Sequence, residues 1–165
     1  MNDSDYIKIV EAQEEALLFP RFSRQDAWKL GALFVKEILV KEHPVAVSVR
    51  LTSGLTLFQY AAEGAALNNE AWIAKKFRTL AEFDESGLLT FFRLRQRGRS
   101  LEDRGLNPRK YAATGGSFPI RVKGAGLIGA ALVSGLDHVL DHELLVECVA
   151  HHLKAEPPRL PKNTE

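Results

Sequence analysis

Gly115-Gly116-Ser117-Phe118-Pro119-Ile120, followed by Gly124-Ala125-Gly126-Leu127-Ile128-Gly129-Ala130-Ala131-Leu132-Val133-Ser134-Gly135-Leu136, decides how this 165-residue chain folds. Its glycines punctuate two apolar runs. Gly124, Gly126 and Gly129 satisfy the G-x-G-x-x-G spacing of dinucleotide-binding proteins, and Glu147 stands near the distance a ribose partner needs. That fingerprint works only where a strand gives way to a helix, because the pyrophosphate rests on free helix N–H groups. After Gly129 comes an apolar run without a polar helical face. We therefore read Lys123 to Gly126 as a turn between two antiparallel strands, in preference to a nucleotide site.

Upstream, Ile7, Val10, Glu14 and Leu17 recur at near-helical spacing over residues 5–18, and Phe19-Pro20 ends that helix. Ser23 with Asp26 forms a capping-box signature for a second helix, whose Ala27, Leu30, Phe34 and Ile38 make one apolar stripe before His43-Pro44. Val45, Val47, Val49 and Leu51 alternate with Ala46, Ser48 and Arg50, and Ser53-Gly54 turns the chain into a partner strand from Leu55 to Ala61. Asn68 is placed to cap a third helix that runs to about Asp84, with Ile73, Phe77 and Leu80 on one side. A shorter helix over residues 87–97 precedes a polar, glycine-bearing connection, Gly98 to Gly116, with room for a ligand loop. Phe118 to Val122 and Leu127 to Ser134 are the second strand pair, the latter apolar enough for the middle of a sheet. A last helix spans Asp137 to about Lys154. The order α-α-β-β-α-α-β-β-α with two tight hairpins predicts an α+β (α/β) fold, a mostly antiparallel sheet flanked by helices. One domain, 1–154, is expected, with a mobile Pro-rich tail at 155–165.

Charge is balanced, 22 basic against 21 acidic side chains, which leaves no general attraction to nucleic acid or an anionic membrane. Cys148 is the only cysteine, so an intrachain disulfide and a thiolate zinc cluster are excluded and a reducing, cytoplasmic setting fits. The first residues lack a basic and an apolar leader region, and no apolar run reaches membrane-spanning length, so neither export nor membrane insertion is expected.

Four of the five histidines fall on the last helix. His138 and His142 share one face with Val146, Val149 and Leu153, which turns both rings inward or into an interface. Their i,i+4 spacing suits a metal or one axial bond to haem iron, with Asp141 or Glu143 orienting a ring; the alternative is a hydrogen-bonded histidine that anchors the helix. His151 and His152 suit the helix C-terminus or solvent. Arg93, Arg95, Arg97, Arg99, Arg104 and Arg109 form a second constellation, and the pair Arg97 and Arg99 is the candidate anion clamp, against a solvated face paired with local acids. Thr114, Gly115, Gly116 and Ser117 offer backbone N–H groups and hydroxyls as a ligand cradle, or serve only the turn. Serine and cysteine nucleophile motifs are absent, and Trp28 and Trp72 suit core or subunit contacts better than base stacking. Leu88, Leu89, Phe91, Phe92 and Leu94 occupy most sides of one short helix, an excess we expect a homo-oligomer interface to cover.

The Gly-Gly-x-x-Pro-Ile run at 115–120, the Ile-Gly and Val-Ser-Gly-Leu elements that follow, and Asp141-His142 resemble the haem-degrading-domain (GlcG/HbpS-like) family, in particular an uncharacterised single-domain branch. Phe19-Pro20-Arg21-Phe22 and Asn69-Glu70-Ala71-Trp72-Ile73 with Lys75-Lys76 extend the resemblance to about residues 5–154. It implies a profilin-like layered fold, an oligomer and haem as a possible cofactor, and it singles out His142 ahead of His138. One departure is Asp84-Glu85-Ser86, where a serine pair is expected. The expectation is an oligomeric small-molecule-binding domain for haem or another flat or anionic ligand. A protein-interaction scaffold without cofactor and an enzyme of small-molecule metabolism remain the alternatives, and whether it is an enzyme stays open.

Overall fold

A computed structural model describes residues 1–162. The two hairpins share a centre. β1 (Ala46–Leu51) pairs with β2 (Thr56–Ala61), β3 (Ser117–Val122) with β4 (Gly126–Ser134), and β1 with β4, all antiparallel, giving the order β2-β1-β4-β3. The G-x-G-x-x-G stretch is the β3–β4 turn and the start of β4, with Gly124 and Gly126 at positive φ.

Because β1 and β4 are central, both of their faces are covered and their side chains sort by parity. Val47, Val49, Ala131 and Val133 face α2 (Arg24–Lys41) and α5 (His138–Leu153), where Phe34, Ile38, Leu145 and Val149 complete the main core. Ala46, Ala130 and Leu132 face α3 (Leu67–Phe83) through Ile73 and Leu80. Sequence anticipated this layered α+β architecture. Ser23 and Asp26 form the capping box of α2, and Ala27, Leu30, Phe34 and Ile38 are all buried. The α3 cap is Ala66 rather than Asn68, and Asn69 Oδ1 accepts the Ala66 N–H at 2.8 Å. Among the described residues no helix is long and apolar enough to cross a membrane.

Two expectations are corrected. The apolar excess of α4 (Gly87–Gln96) is absorbed within the chain: Leu88, Leu89, Phe92 and Leu94 are buried and Phe91 half-buried. α1 (Asp3–Ala16) lies along α4, stacking Tyr6 on Phe92 at 4.6 Å and pairing Asp3 with Arg95 and Glu11 with Arg93. The tail does not leave the domain at Ala155. Pro157 and Leu160 are buried, Leu160 among Val10, Leu88, Leu89 and Phe92, and the Pro158 carbonyl accepts a bond from Gln13 Nε2 at 2.9 Å. Prolines fix the extended path that lets Leu160 reach this cluster. Residues 163–165 of the expected mobile tail lie outside the described residues. The exposed large apolar side chains are elsewhere, Trp28, Leu39 and Val40 on α2 and Leu67 at the start of α3 among them.

Leu160→Ala is expected to lower unfolding free energy by about 2 kcal/mol, the low end for a buried leucine because its site is near the chain end. Urea denaturation at pH 7.5 reads it; an unchanged midpoint would detach the tail from the core.

Candidate functional site

The turn before β3 brings the end of β4 against the first turns of α3 and α5. Gly115 and Gly116 permit this: a Cβ on Gly115 would overlap the His138 carbonyl oxygen, and one on Gly116, at φ +113°, would overlap Lys76 Nζ and the Val133 carbonyl. Val133 N–H bonds the Gly116 carbonyl at 2.9 Å, holding the turn on the strand.

Lys76 then occupies the space a side chain on Gly116 would take. It is 4% exposed and donates to Val133 O at 2.9 Å and to Asp141 Oδ2 at 3.1 Å. Asp141 in turn accepts the Leu136 N–H on Oδ1 at 3.0 Å. Burial depresses the lysine and raises the aspartic acid, with their mutual attraction opposing both shifts. Lys76 and Asp141 stand in the wall of a cleft of about 250 Å³, with Asn69, Trp72, Thr114 and His138 around them.

His138 is half-buried, its ring edge-on to Phe91 at 4.7 Å. Its Nδ1 accepts the Gly115 N–H at 3.2 Å, and burial holds it below the usual imidazole range, so the neutral ring carries its proton on Nε2. It is a hydrogen-bond donor. His142, one turn on, is fully buried, with Nε2 2.8 Å from Gln13 Oε1. The Gln13 amide donates from Nε2 to Glu143 at 3.1 Å and to Pro158 O at 2.9 Å, so its oxygen is the acceptor and His142 Nε2 also bears the proton. Burial, reinforced by His138, drives the His142 pKa down to about 3, and its Nδ1 has no partner among the described residues.

His142, fully buried on Gln13, has the surroundings of the helix-anchor alternative, whereas His138 accepts the Gly115 N–H on Nδ1 and borders the cleft. Among the described residues no group of three His, Cys, Asp or Glu side chains is placed to hold a metal ion. Arg97 and Arg99 are exposed past the end of α4 and line neither cleft, while Arg93 and Arg95 are spent on Glu11, Glu85 and Asp3. Gly115 meets His138 and Gly116 meets Lys76, while Thr114 lines the same cleft as His138. The cradle is less open than expected, because the Gly115 N–H is taken by His138 and Ser117 Oγ accepts the Gly87 N–H at 3.0 Å. The Asp84-Glu85-Ser86 departure makes the α3–α4 junction: Ser86 caps α4, and Glu85 accepts from Thr90 at 2.9 Å.

Sequence reading passed over Gln13 and gave Lys76 no role. Both carried a signal. Lys76 falls three residues after Ile73 and four before Leu80, and Gln13 three after Val10 and four before Leu17, each a polar side chain on an apolar stripe.

A second cleft of about 370 Å³ lies between α1 and the α3–α4 junction, lined by acids including Glu11, Glu14 and Glu85 with Arg93 and Arg121. Glu14 accepts the Ser86 N–H at 3.0 Å, and its burial pushes the carboxyl up to about 7 against the pull of Arg121 and Arg93. Between the ordinary glutamate value of 4.5 and about 7 the folded state holds a proton the unfolded chain lacks, so Glu14 adds stability as pH falls through that window. His142 has the opposite sign: the unfolded ring binds a proton below 6.5 that the folded ring refuses down to about 3. Glu14→Gln should therefore be more stabilising at pH 7.5 than at pH 5, by about 2 kcal/mol, in paired urea titrations. His142→Ala, which strands Gln13 Oε1, should cost about 1–3 kcal/mol at pH 7.5 and less at pH 4.

A family model described as haem degrading protein HbpS-like matches residues 22–150. A UPF0303 protein of Streptomyces coelicolor is 43% identical over 141 residues, 85% of this chain and 89% of the relative, and one of Paraburkholderia xenovorans is 40% identical over 148 residues, 89% of each. Among solved structures, the Ybr137w protein superposes with a TM-score of 0.80 at 26% identity, covering 90% of this chain and 88% of that one. The PduOC:heme complex superposes with a TM-score of 0.65 at 20% identity, over 84% and 99% of the two chains, a likeness of fold. The chain belongs to the HbpS-like haem-degrading-protein family.

Proposed function

We propose that this protein is an oligomeric small-molecule-binding domain whose ligand is a small anionic compound seated in the cleft between the first turns of α3 and α5. The observation that carries the reading is the set of donors there. Lys76 uses two of its three protons on partners in the chain, and His138 Nε2–H has no partner among the described residues. The Thr114 hydroxyl and the Asn69 side chain stand beside them. A carboxylate supplies the acceptors these donors lack. The cleft volume lies below the range usual for drug-sized ligands and favours a compound of few heavy atoms.

Haem is a second reading, favoured by the family's description and by the haem complex among the fold's neighbours. On this chain it would lie across the mouth of the cleft beside Trp72, with propionates towards His138. The oligomer is supported by Trp28, 66% exposed, and by Leu39 and Val40 on the same helix, which a neighbouring chain would cover.

Trp72 fluorescence and thermal melting in millimolar acetate, oxalate or phosphate test the first reading. A saturable response to a carboxylate in the natural protein, lost in His138→Phe, is expected; no response to any of the three would count against it. A haem titration separates the second: saturable Soret-monitored binding that is unchanged in His151→Ala and weakened in His138→Ala and in Trp72→Ala would favour haem. Light scattering at micromolar concentration should return more than 18.4 kDa, and Trp28→Glu with Val40→Glu should shift the mass towards the monomer.

A further inference from the structure

A lysine that only bolts three elements together is sealed on all sides. Lys76 is not: it is nearly inaccessible by area, yet it forms part of the wall of an open cleft, with one proton uncommitted. Its carboxylate partner, Asp141 Oδ2, lies 3.1 Å from Nζ, close enough to take a proton directly. His138 presents Nε2–H in the same cleft.

We propose that Lys76 is a covalent site, condensing through Nζ with the carbonyl carbon of a small 2-oxo acid or aldehyde to form an iminium, with Asp141 relaying the proton. The proposal rests on the cleft being a small-molecule site.

The step balances without any further reactant. Lys76 passes one proton to Asp141 Oδ2, and the freed lone pair on Nζ forms a bond to the carbonyl carbon while the C=O π pair moves to oxygen. That oxygen takes a second proton from Nζ, giving a neutral carbinolamine. Asp141 then returns its proton to the hydroxyl, water leaves, and the nitrogen lone pair closes the C=N⁺ bond. Positive charge ends on Nζ and negative charge on Asp141, as at the start, so the buried pair is never left with one charge alone. The iminium keeps one N–H, which Asp141 accepts; the bond to Val133 O is the one given up. His138 Nε2–H is the donor available to the carbonyl oxygen, and the Thr114 hydroxyl to a carboxylate on the neighbouring carbon.

Burial works in favour of the first proton transfer. It lowers the lysine and raises the aspartic acid, narrowing the gap between their proton affinities. Lysine is the cation suited to this use, since arginine in the same place would hold its proton.

The test uses the full chain, pyruvate as the carbonyl probe and cyanoborohydride, which reduces iminium ions and spares ketones; peptide mass mapping then locates the carboxyethyl group. Lys76 is expected to be modified in roughly tenfold or greater excess over exposed Lys8 and Lys29, because it alone of the three borders the cleft and has a carboxylate at hand to take its proton. Asp141→Asn should slow the trapping. Labelling that follows exposure, with Lys76 at or below Lys29, overturns the proposal, and this readout needs no variant to fold. If pyruvate still quenches or shifts Trp72 while Lys76 stays unmodified, the covalent step falls and the small-anion reading stands. If pyruvate neither perturbs Trp72 nor labels Lys76, both fall.

Discussion

The buried ammonium of Lys76 is the constraint around which the rest is arranged. Removing a cation from water costs several kcal/mol even after relaxation, and a partner carboxylate brings its own penalty. The charge is tolerated because every neighbour is prearranged: a carbonyl at the end of β4, a carboxylate in the first turn of α5, and the Leu136 N–H that steadies that carboxylate. α3 and α5 lie on opposite faces of the sheet. One ion pair at the end of β4 therefore joins the two helical layers, and loss of either partner would leave an uncompensated charge in the interior.

That requirement explains the glycines of the opening stretch better than any ligand does. Gly116 lies where a Cβ would displace the ammonium, and Gly115 where one would collide with the start of α5. The pair of glycines lets a turn pass between the Lys76 side chain from mid-α3 and the start of α5 without filling the space. What remains is the cleft. Its polarity is a by-product of the ion pair and of His138, whose tautomer is set by the Gly115 N–H. The same backbone turn that closes the fold thus fixes which nitrogen of a cleft histidine is the donor.

Periodicity made most of the fold legible. The apolar stripe of α2, the two hairpins and the apolar β4 are direct consequences of side-chain direction, and each appears where the pattern puts it. The site was legible only in part, because a sequence states which face a residue is on and not which atom it meets. His138 and His142 share a face, yet one rims a cleft while the other is sealed by Gln13, a residue about 130 positions away. Arg97 and Arg99 looked like an anion clamp from composition, but the α4 end leaves them outside both clefts. The α4 excess misled for a related reason: its cover, α1 and Leu160, comes from the two ends of the chain, and no local window contains both.

Gln13 and Lys76 invite comparison because each is a polar side chain set on an apolar stripe, and they were satisfied by opposite means. Gln13 is neutral and fully buried, and it meets His142, Pro158 O and Glu143 away from both clefts described above. Both side chains are fully buried, and burial keeps the His142 ring neutral down to about pH 3. Its role ends at locking α1, α5 and the tail together. Lys76 is charged, its partner can accept its proton, and one side of the pair is a cleft wall. Of the two buried polar clusters, the one built on Lys76 and Asp141 is the one that borders a cleft and holds a donor and an acceptor that can share a proton.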